Sequence, residues 1–393
     1  MKTLALKELD GVLAEWPFYM ERAIELAASV FNATPNPRVG CVIVKEGVVI
    51  GEGWHSAAGE KHAEIVALEN AGSLVKNSTA FVSLEPCAHQ GRTPPCTEAL
   101  IAAGVDRVVI ASVDPDERVS GRGIEALEEA NIEVYQLLDF DQQARSINPG
   151  FFKRQELGVP FVRLKLAMSI DGRTALSNGK SKWITSPEAR KDVQKLRAQS
   201  CAIATGTGTI LLDDPSLTVR TSELGLDEKQ LKYNQASLSK NPTRVVIGDY
   251  KKLPVTAKVI HSEGMVKFFT SDKILGEFKY PENVEIVGVN SNQGGVDLTS
   301  VLKYLASESK CNEVLIEAGP TLSAEFIKQN LVDEFITYNA PKILGSDARP
   351  LINFTGLSSL EESIKFSVKE ICEVGSDIKT TFVPNLRKCS QEL

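Results

Sequence analysis

Apolar residues recur at helical spacing from Phe18 to Phe31, and Pro35, Pro37 and Gly40 then break the pattern, so a helix is expected to feed a loop. Val39 to Ile50 is rich in valine and isoleucine around Lys45-Glu46-Gly47, which predicts a hairpin of two strands. Helical spacing resumes from His62 to Ala71. Beyond it the pattern predicts a strand at Ala80–Leu84, a helix at Thr97–Ala103, a strand at Arg107–Ala111 and a helix at Ile124–Ala130. Strands alternating with helices imply an α/β layered sheet. A second cycle follows: a strand at Phe161–Ala167, a helix at Pro187–Ala198 with proline near its start, and a buried strand at Cys201–Thr205. Further strands are expected at Thr243–Ile247, Val284–Val289, Val314–Glu317 and Glu334–Asn339. Between the cycles, Asn148 to Pro160 carries Pro149, Gly150, Gly158 and Pro160 among charges. That composition places the domain junction there, giving expected domains at 1–158 and 159–393. Ser222 to Asn241 has weak periodicity and is expected to be a surface excursion.

A length of 393 residues suits two cores rather than one. With 42% hydrophobic and 24% charged residues and no low-complexity tract, the chain reads as folded throughout. A net charge of −7 offers no general attraction to nucleic acid or an anionic membrane, so neither is an expected partner and a small molecule is. Met1 to Glu15 mixes Lys2, Lys7, Glu8 and Asp10 with apolar residues, unlike a secretory signal, and no long uncharged apolar run appears elsewhere. A cytoplasmic location is therefore expected. The 7 cysteines are scattered, as in a reducing compartment, which leaves some free to be metal ligands.

The candidate chemistry lies in His62-Ala63-Glu64 near a helix start, Pro86-Cys87 after a strand, and Cys96. One imidazole and two thiolates form a zinc set that leaves a fourth position for water, whose pKa the metal lowers toward neutrality. Glu64 stands where a carboxylate beside the metal can carry protons from water to a departing amine. Taken singly, each residue is ordinary: a satisfied histidine, a small buried cysteine, a solvated helix charge. Taken together, with a strand and a proline leading into the first cysteine, they predict a zinc deaminase. Cys87 and Cys96 stand further apart than the two-residue spacing common in such sites, so Ala88 to Pro95 is expected to loop out beside the metal.

Thr34-Pro35-Asn36-Pro37, Gly40-Cys41, His62-Ala63-Glu64, Leu84-Glu85-Pro86-Cys87 and Gly91-Arg92-Thr93-Pro94-Pro95-Cys96 closely resemble the deaminase half of the bifunctional riboflavin-biosynthesis deaminase/reductase. Two positions depart from it: Thr34 stands where some members have histidine, and Gln90 where a second histidine is common. The resemblance implies a cytidine-deaminase-like three-layer α/β/α domain with one zinc per chain on His62, Cys87 and Cys96, and Glu64 as the catalytic carboxylate. The implied substrate is a diamino-hydroxy-pyrimidine bearing a phosphoribosylamino group, whose ring amine is replaced by oxygen. Asn36 would hold its ring, although Pro-Asn-Pro reads equally as a plain turn. His55 reads evenly as a pocket residue or a surface histidine, and Cys41 as core packing.

In the second half, Arg163 to Arg173, Lys182-Trp183-Ile184-Thr185-Ser186, Gly206-Thr207-Gly208-Thr209, Asp213-Asp214-Pro215 and Glu317-Ala318-Gly319-Pro320-Thr321-Leu322 resemble the reductase half of the same family. That half has a dihydrofolate-reductase-like α/β fold and uses NADPH. The resemblance implies substrate contacts at Lys165, Ser181, Arg197, Leu217, Arg220 and Glu317. It implies cofactor contacts at Ala167, Trp183, Thr209, Asp213, Gly319, Pro320, Thr321, Leu322 and Ser323. From the residues alone, Gly319-Pro320-Thr321 reads either as a helix start whose amides cradle a pyrophosphate or as a capped turn. Arg197 and Arg220 read either as phosphate forks or as surface charges. No GxGxxG fingerprint is present, so a Rossmann domain is not expected.

Two other readings stand beside this one. The chain could be a nucleotide or tRNA-type zinc deaminase with a C-terminal binding module, which its acidity disfavours. A closed structural zinc needs a fourth ligand, and His261 lies far away in sequence. An acidic biosynthetic enzyme of this kind is expected to be a homo-oligomer.

Overall fold

The computed structural model describes residues 1–88, 94–271, 280–292 and 295–385. The Gln90 departure and the Gly91-Arg92-Thr93 stretch lie outside the described residues. Two compact units are present, Met1–Val159 with Leu226–Ser239, and Pro160–Gly225 with Lys240–Leu393.

The first unit is built on a 6-stranded sheet. Its strands are β1 Lys2–Leu4, β2 Gly40–Lys45, β3 Val48–Trp54, β4 Thr79–Val82, β5 Arg107–Ile110 and β6 Glu133–Leu137, in the spatial order β1-β6-β5-β4-β2-β3. Strands β1, β6, β5 and β4 run parallel, and the β2–β3 hairpin pairs antiparallel to β4. Helices α1 Trp16–Ala28 and α5 Asp141–Ile147 cover one face, with Met20, Ile24, Phe81, Val109 and Phe140 in the core between. Helices α2 Ala63–Ala71, α3 Cys96–Ala103 and α4 Arg122–Glu129 cover the other, over Cys41, Ile43, Val82, Val108 and Leu127. The central strands therefore read as continuous apolar runs, because both of their faces are buried. Gly53 lets α2 sit directly on β3, since a Cβ there would overlap the Ala63 carbonyl oxygen.

The stretch with junction-like composition is helical: α6 spans Pro149–Leu157. Its proline occupies the first turn and Gly158 closes its end with positive φ, so those residues punctuate a helix.

The second unit carries a 9-stranded sheet and two small ribbons. In chain order its strands are β7 Phe161–Ser169, β8 Arg173–Ala175, β9 Ala202–Gly206, β10 Thr243–Ile247, β11 Val266–Thr270 and β12 Val284–Gly288. There follow β13 Ser291–Asn292, β14 Gly295–Val296, β15 Glu313–Ile316, β16 Glu334–Ala340, β17 Arg349–Pro350, β18 Phe366–Val374 and β19 Asp377–Pro384. The large sheet has the order β12-β11-β10-β9-β15-β7-β16-β19-β18, parallel from β12 to β16 and antiparallel at its last two strands. Helix α7, Pro187–Gln199, begins where the Ser186 hydroxyl accepts from the Ala189 N–H, and buries Ala189, Val193 and Leu196 against Leu315 and Ile336. Helix α8, Thr207–Asp213, follows β9 directly. Hydrophobic periodicity did not reveal β18, because most of its residues are exposed.

The supposed surface excursion contains a helix, α9 Glu228–Asn234, that belongs to the first unit. Tyr233 is 8% exposed, with its ring 4.3 Å from that of Trp54. The Asn234 amide donates to the Ser29 carbonyl at 2.9 Å and accepts from the Phe31 N–H at 2.7 Å. Only one turn is buried, too little to give a periodic signal. No helix among the described residues is long and apolar enough to cross a membrane.

Truncating the Tyr233 ring opens a cavity against Trp54, so Tyr233→Ala is expected to destabilise the first unit by about 3 kcal/mol. Urea unfolding followed by tryptophan fluorescence checks this, and an unchanged midpoint for the first-unit transition would refute it.

Candidate metal centre and cofactor cavity

The two helix starts in the first unit bring the metal-ligand candidates together. His62 is the residue preceding α2, and Cys96 is the first residue of α3, just behind Pro95. Cys87 lies on the loop after β4. The His62 Nδ1 is 3.5 Å from the Cys87 sulfur and 3.3 Å from that of Cys96, and the three ligand atoms all lie within 4.8 Å of one another. The Cys96 N–H donates to the Cys87 sulfur at 3.4 Å, as the positive end of a helix should when it faces a thiolate. The neighbouring Cys96 thiol and His62 make the Cys87 thiol acidic, at about 4. The Cys87 thiolate, together with burial, holds the second proton on Cys96. A divalent cation is the natural replacement for that proton, so the donor set suits zinc.

Glu64 belongs to the first turn of α2 and is 3% exposed. Its carboxylate is not a member of the ligand cluster, which among the described residues consists of His62, Cys87 and Cys96 alone. Burial, reinforced by the Cys87 thiolate, pushes its carboxyl up to about 7. A cation next to it would draw that value down again.

Asn36 and His55 meet beside this cluster. The His55 Nδ1–H donates to the Lys61 carbonyl at 3.0 Å, which leaves Nε2 to accept from the Asn36 amide at 3.0 Å. His55 is 2% exposed, and burial lowers its pKa to about 4, so the ring is neutral at ordinary pH. The His55 and His62 rings stand edge to face, 5.1 Å apart.

Sequence reasoning passed over Glu85. Its carboxylate accepts from the N–H groups of Asp114, Gly121, Gly123 and Ile124 at 3.0–3.3 Å, tying the Pro86-Cys87 loop to the start of α4. Gly123 is required there because a Cβ would overlap the Pro86 carbonyl. A glutamate between an apolar strand and Pro-Cys was the available signal, since a charge in such a place is buried and needs partners.

In the second unit a cavity of about 1070 Å³ opens at the ends of the parallel strands. Of the residues singled out above, Lys165, Ala167, Ser181, Arg197, Thr209, Asp213, Leu217 and Glu317 line it, as do Gly319 through Leu322. Trp183, Arg220 and Ser323 are not among its lining residues. The Trp183 ring is 61% exposed with the Arg190 guanidinium 4.5 Å above it, Arg220 pairs with Glu223 at 3.1 Å, and Ser323 is fully buried. Arg197 holds both carboxylate oxygens of Glu317, at 2.6 and 3.1 Å, and Lys165 lies 3.8 Å from the same group. Burial would raise the Glu317 pKa, but the two cations outweigh it and hold the carboxyl at about 2. The Thr209 hydroxyl accepts from the Gly319 N–H at 3.1 Å, joining the start of α8 to that of the helix Pro320–Lys328. Gly248 and Asp249, which follow β10, also line the cavity and were missed.

A family profile described as "Cytidine and deoxycytidylate deaminase zinc-binding region" matches residues 15–112, and one described as "RibD C-terminal domain" matches residues 160–380. The chain is 46% identical over 362 residues to "Riboflavin biosynthesis protein RibD" of Escherichia coli, an alignment covering 92% of this chain and 97% of that protein. A solved structure of Acinetobacter baumannii RibD superposes with a TM-score of 0.82 at 39% identity, over 93% of this chain and 98% of that one. The Thermotoga maritima protein described as a diaminohydroxyphosphoribosylaminopyrimidine deaminase/5-amino-6-(5-phosphoribosylamino)uracil reductase gives 0.80 at 32% identity, over 94% and 99%.

Because Glu85 anchors the loop that carries Cys87, Glu85→Ala is expected to weaken zinc affinity roughly 10- to 100-fold. Competition with a chromophoric chelator measures this, and wild-type affinity in a folded variant would exclude the anchoring role.

Proposed function

The chain belongs to the RibD family of bifunctional riboflavin-biosynthesis deaminase/reductases, and on that premise we propose how its residues divide the two reactions. Its first half is a cytidine-deaminase-like zinc domain and its second a dihydrofolate-reductase-like domain. We take the deaminase domain as 1–158 and the reductase domain as 159–393, with α9 as a late contribution to the first core. The observation that carries the deaminase reading is the convergence of His62, Cys87 and Cys96 with Glu64 buried just outside their cluster.

The substrate of the first half is a diaminohydroxypyrimidine carrying a phosphoribosylamino group. Zinc, when held by His62, Cys87 and Cys96, supplies a Lewis acid that lowers the pKa of water toward neutrality. Glu64 carries one proton from the attacking water to a ring nitrogen and the second, from the hydroxyl so formed, to the departing amine, which leaves as ammonia, so the ring gains oxygen and loses nitrogen. Asn36 aligns the ring edge. Neutral His55 fixes which end of the Asn36 amide points at its own ring, and so which groups are offered to the pyrimidine.

The substrate of the second half is the deaminated product. NADPH, when bound, supplies the hydride that converts the ribosyl chain to ribityl. Thr209, Asp213 and Gly319 through Leu322 are assigned to the cofactor, with Ala167, Trp183 and Ser323 as further contacts. Lys165, Ser181, Leu217 and Glu317 are assigned to the sugar, and Arg197 and Arg220 to its phosphate. Arg197 reaches that role through a guanidinium already committed on one edge to Glu317. A net charge of −7 supports work without nucleic acid, and the exposed Val368 and Ile371 on edge strand β18 support a homo-oligomer.

Glu64→Gln is expected to slow ammonia release by roughly a hundred- to ten-thousand-fold while zinc stays bound. Near-normal release by the zinc-loaded variant would reject Glu64 as proton carrier. Lys165→Ala should lower NADPH oxidation on the deaminated substrate by roughly a hundredfold. Ammonia release should be untouched, and an equal loss of both activities would show that Lys165 acts on the whole fold rather than on the sugar.

A further inference from the structure

Neither half of the chemistry uses Cys201 and Cys311, yet the fold of the second unit brings their sulfurs together. Cys201 immediately precedes β9 and Cys311 precedes β15, strands that lie side by side with Ala202 opposite Val314. The sulfurs are 2.6 Å apart, in hydrogen-bond contact. Backbone groups fix both residues: the Cys201 N–H donates to the Glu313 carbonyl at 3.0 Å, and the Cys311 N–H to that of Leu305 at 2.9 Å. The Cys201 sulfur also accepts from the Glu313 N–H at 3.0 Å. Cys201 is half-buried, whereas Cys311 is 2% exposed.

We propose that Cys201 and Cys311 form a reversible oxidation site, closed by a peroxide into a disulfide that joins the starts of two central strands of the reductase unit. Cys201 is the thiol a solvent-borne oxidant can reach, and burial pushes the Cys311 thiol up, so that it stays protonated until it condenses. The Cys201 thiolate attacks one peroxide oxygen, the O–O bond breaks, and the departing hydroxide takes up a proton to become water. The sulfur is left as a sulfenic acid. The Cys311 sulfur then attacks it, the S–O bond breaks, and the released oxygen leaves as a second water with the Cys311 proton. Two thiols are oxidised and one peroxide is reduced.

The bond would span 110 positions of sequence, a long loop whose closure removes much entropy from the unfolded chain. The far ends of the same two strands lead to Gly206 and Glu317 in the wall of the cavity. Oxidation therefore braces the cofactor cavity from behind without touching its lining.

The test uses the zinc-loaded full chain, treated with hydrogen peroxide, alkylated and digested for mass spectrometry. A peptide joining Cys201 to Cys311 is expected, lost again on adding dithiothreitol, together with a Tm several degrees above that of the reduced chain. Cys311→Ser should leave a sulfenic acid at Cys201 that dimedone captures, which needs no disulfide for its readout. Recovery of both Cys201 and Cys311 fully alkylated, at a peroxide dose that oxidises Cys372, would overturn the proposal.

Discussion

Two thiolates and an imidazole packed into a space with little water repel additional negative charge, and a divalent cation is what turns that cluster from a cost into a source of stability. The first unit is arranged around this constraint. The start of α3 points the Cys96 amide toward the Cys87 sulfur, adding positive potential where an anionic ligand must sit. Glu85 then fixes the third ligand-bearing loop through four backbone N–H groups, so that Cys87 is presented by a rigid element although it lies on a loop.

The second unit meets a related problem by charge pairing. Glu317 is surrounded by Arg197 and Lys165 in the wall of the cavity, and the two cations keep its carboxylate ionised despite burial, whereas burial outweighs the attraction of Glu317 and lowers the pKa of the Lys165 ammonium. On the assignment proposed above, such a trio faces a polyhydroxylated, phosphorylated ligand and exchanges one internal hydrogen bond for a substrate hydroxyl. The same β15 that delivers Glu317 starts beside Cys311, so the strand bears a cavity residue at one end and a thiol at the other.

The chain does not deposit each core from one continuous stretch. Tyr233 and Asn234 arrive after more than half of the sequence has passed, yet they complete the first unit beside Trp54 and Ser29. A buried aromatic ring and a doubly used amide explain why so short a helix is retained there.

The sequence by itself determined the α/β class, most of the strands, and which histidine and cysteines gather into a candidate metal-ligand set. Those signals are local: β-branched runs, helix periodicity, and a histidine and cysteines whose chemistry has few other uses together. It also pointed to a set of second-unit residues most of which line the cavity, although only through likeness to a family. What the tertiary structure alone decided is long-range: that α9 joins the first core, that Glu85 caps α4, that Arg197 binds Glu317, and that Cys201 meets Cys311. Each of these depends on a contact between residues far apart in the chain, and hydrophobic patterning carries no record of which distant partner a buried charge, ring or thiol will find.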